Sequence, residues 1–194
     1  MAADRMSLTS FLDYQRATLE LRCQGLTSNQ LKQRAVPTSK LTLLSLLRHA
    51  AEVETSWFRF VLNQEHLTPR GPAAEGISGE FLVADADVDE AFKLWRGACE
   101  SSRAVTDSFE SLDDTVAFRG ETISLRYVLT HMVEEYARHN GHADLLQEAI
   151  DSITASHRRD RRRVERAQGP VCGAPQIRSE AERDDHTASC WQSQ

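Results

Sequence analysis

No uninterrupted apolar run in this chain approaches the ~20 residues needed to cross a bilayer, and no charged-then-apolar leader opens it. The four cysteines, Cys23, Cys99, Cys172 and Cys190, form no Cys-x-x-Cys or other close pair, which argues against a disulfide framework and against a cysteine zinc site. There is no glycine-rich phosphate loop, no internal repeat and no strand–helix alternation, so a nucleotide-binding α/β architecture is excluded. A net charge of −6 over 194 residues argues against a nucleic-acid partner for the protein as a whole. These absences predict a soluble, cytoplasmic protein, no membrane partner, and one domain of ordinary size with length to spare.

What the chain does have is helical periodicity. Leu8, Phe11, Leu12, Leu19 and Cys23 recur at near-helical spacing, predicting a first helix over about Leu8 to Arg22 that Gly25 stops. Thr27-Ser28-Asn29-Gln30 has the Thr-x-x-Gln capping-box spacing of a short helical turn, which Pro37 ends. A second long helix is expected over about Leu41 to Leu62 and a third from Asp87-Val88-Asp89-Glu90 to about Phe109. A fourth is expected from near Thr122-Ile123-Ser124 to about Ile150. The stretch from Asn63 to Ala86, with Pro69, Gly71-Pro72, Gly76 and Gly79, reads as a long crossover, either a plain link or a cover for a site. The fold class expected for residues 1–151 is all-α, a four-helix bundle with a long crossover loop.

Two of these helices carry ionisable groups on the face that should point inward. Glu135 and His139 are four apart, so their side chains stack roughly 6 Å apart, in a stripe continued by Val128, Met132, Leu145 and Leu146. His49 stands in the row Leu46, Val53, Trp57 of the second long helix. Burying such groups is costly unless they pair, shift their protonation or hold a metal ion. If the two helices pack side by side, His49, Glu135 and His139 converge as two nitrogens and one oxygen. Three protein ligands with an open fourth position suit catalytic zinc first, and nickel or iron as well.

A plainer account exists for each residue. A single core histidine is commonly a hydrogen-bonded packing residue, and a Glu–His pair four apart can be a simple buried hydrogen bond. His131, one turn before Glu135, is open to a role as a fourth ligand, a pocket-lining base or a group behind the ligands, the last two being favoured. His142 and Asp144 lie past Gly141, where each could bond a ligand's free nitrogen or a neighbouring helix. His66, His157 and His186 lie in polar, loop-like surroundings that predict solvation.

After Asp151 the composition changes. Residues 152–194 hold eight arginines against six carboxylates, a local +2 that leaves −8 on the first 151 residues. The run His157-Arg158-Arg159-Asp160-Arg161-Arg162-Arg163 opens an Arg-rich tail that reads as disordered, solvated or partly helical.

The segments Leu46-Leu47-Arg48-His49-Ala50-Ala51-Glu52-Val53-Glu54-x-x-Trp57-Phe58 and Leu125-Arg126-Tyr127-Val128-Leu129-x-His131-Met132-x-Glu134-Glu135-x-Ala137-Arg138-His139-x-Gly141-His142-Ala143-Asp144 carry a family resemblance. With Asp85 to Glu90 and Leu94-Trp95-Arg96, they make residues 7 to 150 resemble the DinB-like four-helix-bundle metalloproteins. The closer similarity is to the actinobacterial branch of the mini-circle protein and the mycothiol S-transferases. The resemblance implies a divalent metal on His49, Glu135 and His139, with glutamate where the superfamily often has a third imidazole. It also implies a low-molecular-weight thiol such as mycothiol as co-substrate, transferred to small electrophiles, with His131 orienting the thiol or accepting its proton and Asp144 anchoring the thiol's polar head. A non-catalytic metal-binding stress or interaction protein is the alternative. A thiol-dependent isomerase would need a further substrate domain that the apolar-poor tail cannot form. A homodimer is expected of such bundles, with Trp57, Phe58 and Phe60 either forming an apolar patch or filling the monomer core.

Overall fold

The computed structural model describes residues 2–66 and 82–168, with side chains described as far as position 156. Helix α1 spans Ala2–Cys23 and ends where Gly25 takes φ +73°, a left-handed conformation that glycine adopts without cost. The short α2, Ser28–Leu31, has the reciprocal Thr27–Gln30 capping box expected from its spacing. Helix α3, Leu43–Glu54, is opened by a second capping box that the sequence reading did not mark, between Thr42 and Ser45. It continues without a break as a π-helical segment, Thr55–Leu62, closed by an Asn63 N–H to Phe58 C=O bond of 2.9 Å. Helix α4, Val88–Ser108, begins at Asp87, whose carboxylate accepts from the Glu90 amide at 2.8 Å.

Between α4 and α5 the structure departs from expectation. Thr115–Phe118 (β1) and Glu121–Ser124 (β2) pair antiparallel with Phe118 opposite Glu121. Arg119 and Gly120 are both at positive φ, the geometry of a tight two-residue hairpin turn. Thr122 and Ile123, read as the start of a helix, therefore belong to a strand. Helix α5 starts only at Leu125 and its helical backbone runs to Gln168, past the boundary expected near Asp151. Most of the predicted crossover, residues 67–81, and the tail from 169 onward lie outside the described residues. No helix among the described residues is long and apolar enough to cross a membrane.

The protein is predominantly helical, as expected, and its long helices share one core. Leu12 and Leu19 from α1, Leu43, Leu46 and Leu47 from α3, Phe58 from the π segment, Trp95 from α4, and Leu129, Met132 and Ile150 from α5 are buried together. Each such side chain contributes roughly 1.5–3 kcal/mol by leaving water. Two residues assigned to core stripes point outward instead: Phe11 is 60% exposed and Leu145 61%. Each adjoins a residue that is buried, Leu12 and Leu146, so the stripes are narrower than the sequence suggests. Of the three rings considered for a surface patch, Phe58 is fully buried, Trp57 half-buried, and Phe60, which packs edge-on against Phe118 of the hairpin, is 43% exposed.

The core also holds a polar cluster. Glu54 is fully buried and receives two hydrogen bonds from Arg16, Nε to Oε1 at 2.7 Å and a terminal nitrogen to Oε2 at 2.8 Å. Tyr136 donates to the same Oε1 at 2.8 Å, and the Trp95 indole donates to the tyrosine oxygen at 2.9 Å. Burial alone would favour the neutral guanidine, but the Glu54 carboxylate outweighs it and raises the Arg16 pKa further. Removing one member of a buried pair strands the other charge, whereas removing both does not. Arg16→Met should therefore cost about 3–5 kcal/mol in urea unfolding, and the double variant with Glu54→Leu should recover a large part of that loss.

Candidate metal centre

Both partners of the expected site come from the interior face of their helices. His49 lies two turns into α3, and Glu135 and His139 occupy successive turns of α5. The structure brings all three together: His49 Nε2 and His139 Nε2 each stand 3.1 Å from the same Glu135 Oε1. The two imidazoles meet edge to face with centroids 4.8 Å apart. Among the described residues this is the group of histidine, cysteine and acidic side chains whose donor atoms cluster, all within 4.8 Å of one another.

The spacing suits a shared ion. Ligands at about 2.0–2.1 Å from tetrahedral zinc stand about 3.3 Å apart, close to the 3.1 Å that separates each imidazole nitrogen from the Glu135 oxygen. Two neutral nitrogens and one carboxylate oxygen are a borderline donor set that fits zinc and also admits nickel or iron. The three side chains are each about one-fifth exposed, His49 21%, Glu135 17% and His139 19%, so the group is neither sealed nor fully hydrated. That leaves a solvent side on which a further ligand can bind.

At Glu135 and His139 the electrostatics favour the protonation states that a cation needs. Burial opposes ionisation of Glu135, but the hydrogen bond from His49 and the fields of His139 and His49 outweigh it and lower its pKa. Burial and the neighbouring His49 also lower the pKa of His139, against a smaller opposing pull from Glu135. At neutral pH the carboxylate is therefore charged and the His139 ring neutral. Behind His139, its Nδ1 faces His142 Nδ1 at 3.3 Å. A neutral ring that offers Nε2 to a cation carries its proton on Nδ1, and His142 is placed to accept it. This is one of the two roles open to His142 in the sequence.

The other candidates lie elsewhere. His131, one turn before Glu135, stacks in an aromatic group with Trp57 and Tyr127 and is not one of the three clustered donors. Asp144 forms an ion pair with Arg22 of α1, both side chains partly exposed. His66 is exposed, as expected, and the side chains of His157 and His186 lie outside the described residues. Cys23 and Cys99 are free and buried, and burial, aided by a nearby glutamate in each case, pushes both thiols up to about 12.

Sequence reasoning missed the cluster beneath the site, in which Tyr136 follows Glu135 directly and Glu54 sits little more than a turn beyond His49. The signal was present. Arg16 interrupts the row Leu12, Leu19, Cys23 as His49 interrupts its own, and Glu54 interrupts Leu47, Ala50, Phe58.

The profile of the family described as Mycothiol-S-transferase matches residues 7–152. The chain belongs to this family. Comparison with curated proteins and with solved structures gave no match.

Two outcomes follow for the centre. His49→Ala, Glu135→Ala and His139→Ala should each lose most of the bound metal by elemental analysis, His66→Ala none, and His142→Ala should weaken affinity by roughly 10–100-fold. Because the His139 pKa lies below its ordinary value of 6.5, protons should not displace metal at pH 7. In a chelator titration, occupancy should hold near neutrality and fall only as the pH drops below 6.5.

Proposed function

We propose that this chain catalyses divalent-metal-dependent transfer of a low-molecular-weight thiol of the mycothiol kind to small electrophiles. The observation that carries the reading is the convergence of His49, Glu135 and His139 within a chain of the mycothiol-S-transferase family. An ion held by these residues, zinc by preference, would supply the positive charge that lowers the pKa of a thiol bound beside it.

The remaining work falls to the protein. Glu135 contributes the anionic oxygen, His49 and His139 contribute neutral nitrogens, and His142 holds the His139 ring in orientation. His131 stands one turn away, where a ring nitrogen can take up the proton that the thiol releases. The partly exposed Arg22–Asp144 pair, little more than a turn beyond His139, is where we place the polar head of the thiol. The chain supplies no nucleophile of its own among the described residues, because Cys23 and Cys99 are buried and remain protonated. A reducing cytoplasm, where such thiols stay free, is the compartment that this chemistry requires.

The test is a conjugation assay with purified protein, zinc, mycothiol and 1-chloro-2,4-dinitrobenzene. Conjugation should exceed the rate without protein, fall to that rate on chelation, and survive Cys23→Ser and Cys99→Ser. Metal-loaded, folded protein that gives no conjugation with any thiol tried would favour the non-catalytic metal-binding reading.

A further inference from the structure

Toward the start of α5, the candidate metal centre is continued by aromatic rings. The His131 ring, one turn before Glu135, lies against the Trp57 indole with centroids 4.6 Å apart and planes at 55°. One turn earlier still, the Tyr127 ring runs parallel to His131, with planes at 5° and centroids 6.3 Å apart. Trp57 and Tyr127 themselves are 6.1 Å apart. These rings keep a side open to solvent: Tyr127 is 52% exposed, and His131 and Trp57, the latter packed on its inner side against the core, are half-buried.

The backbone explains how Trp57 reaches this position. On an unbroken α-helix, residues eight apart drift around the axis because each advances about 100°. The π-helical segment begins at Thr55, and its wider turn advances each residue by less. Trp57 is thereby held nearer to the side of the helix that His49 faces, in the groove against α5. A π-helical turn of this kind is rare and recurs at functional sites.

We propose that Trp57 and Tyr127, with His131 packed beside them, form the electrophile subsite and that it selects flat, conjugated electrophiles such as nitroaryl halides. The inference rests on the thiol-transfer reading for its chemistry, though not for binding. Electron-rich indole and phenol faces stack well on an electron-poor ring, whereas a small saturated alkylating agent gains nothing from them. A ring stacked here lies within one to two helical turns of the donors. For a nitroaryl chloride the thiolate sulfur forms a bond to the ring carbon, and the C–Cl bond breaks. Chloride leaves with the electron pair, and the thiol proton passes to a base or to water. No oxidant or reductant is needed.

Binding and kinetics test the subsite separately. Zinc-loaded protein should bind 1,3-dinitrobenzene, which carries no leaving group, as followed by ligand-observed NMR. Trp57→Ala and Tyr127→Ala should each weaken this binding about five- to tenfold, and Trp57→Phe should retain most of it. With mycothiol, the two alanine variants should lower kcat/KM for 1-chloro-2,4-dinitrobenzene by a similar factor and change that for iodoacetamide by less than twofold. Should Trp57→Ala fail to fold, Tyr127→Ala, whose ring is half exposed, carries the comparison. Unchanged dinitrobenzene binding in the folded variants, or an equal fall for both electrophiles, overturns the subsite. Ring-dependent binding without conjugation of either electrophile sinks the thiol-transfer reading and leaves the subsite standing. Conjugation without discrimination does the reverse.

Discussion

A carboxylate cut off from water, Glu54, sets the terms for the rest of this fold. Its charge is tolerable only because Arg16 of α1 meets both oxygens and Tyr136 of α5 donates to one of them. Trp95 of α4 completes the cluster, so four helices answer to one buried anion. The two helices that carry the candidate metal donors are both among them, with His49 and Glu54 on α3 and Glu135 and Tyr136 on α5. A slip of α5 by one residue would leave Glu54 short of a donor and part the imidazoles from Glu135 in the same movement. The register that satisfies the core is the register that assembles the centre.

The contrast between these two polar groups is informative. The Arg16–Glu54 pair is almost wholly inaccessible, at 5% and 0% exposure. The candidate metal donors keep part of their surface in solvent, and the aromatic rings beside them are more open still. A buried hydrogen-bonded cluster and a partly open donor group thus share the same two helices, an arrangement that would suit ligand exchange on an ion held there.

Much of this was legible in the sequence wherever an ionisable residue broke an apolar row. His49, Glu135 and His139 were found that way, and the caps at Thr27 and Asp87 and the stop at Gly25 follow from local backbone chemistry. The same logic applied to Arg16 and Glu54 would have exposed the buried pair, but opposite charges on separate helices are each readily read as surface residues. The hairpin escaped because its strands are four residues long and its turn is Arg-Gly, a weaker signal than Asn-Gly. The π-helical turn has no composition signature, since widening a helix depends on tertiary packing rather than on propensity. Phe11 and Leu145 were read as core because large apolar residues at near-helical spacing look alike whether they lie at the edge or the centre of a stripe.

The depth of Cys23 and Cys99 has a consequence for durability. With pKa values of about 12, each is ionised to about one part in 10⁵ at pH 7. Any thiol-seeking reagent that reaches the protein therefore meets almost no thiolate at these two positions, and both cysteines are shielded from alkylation by it.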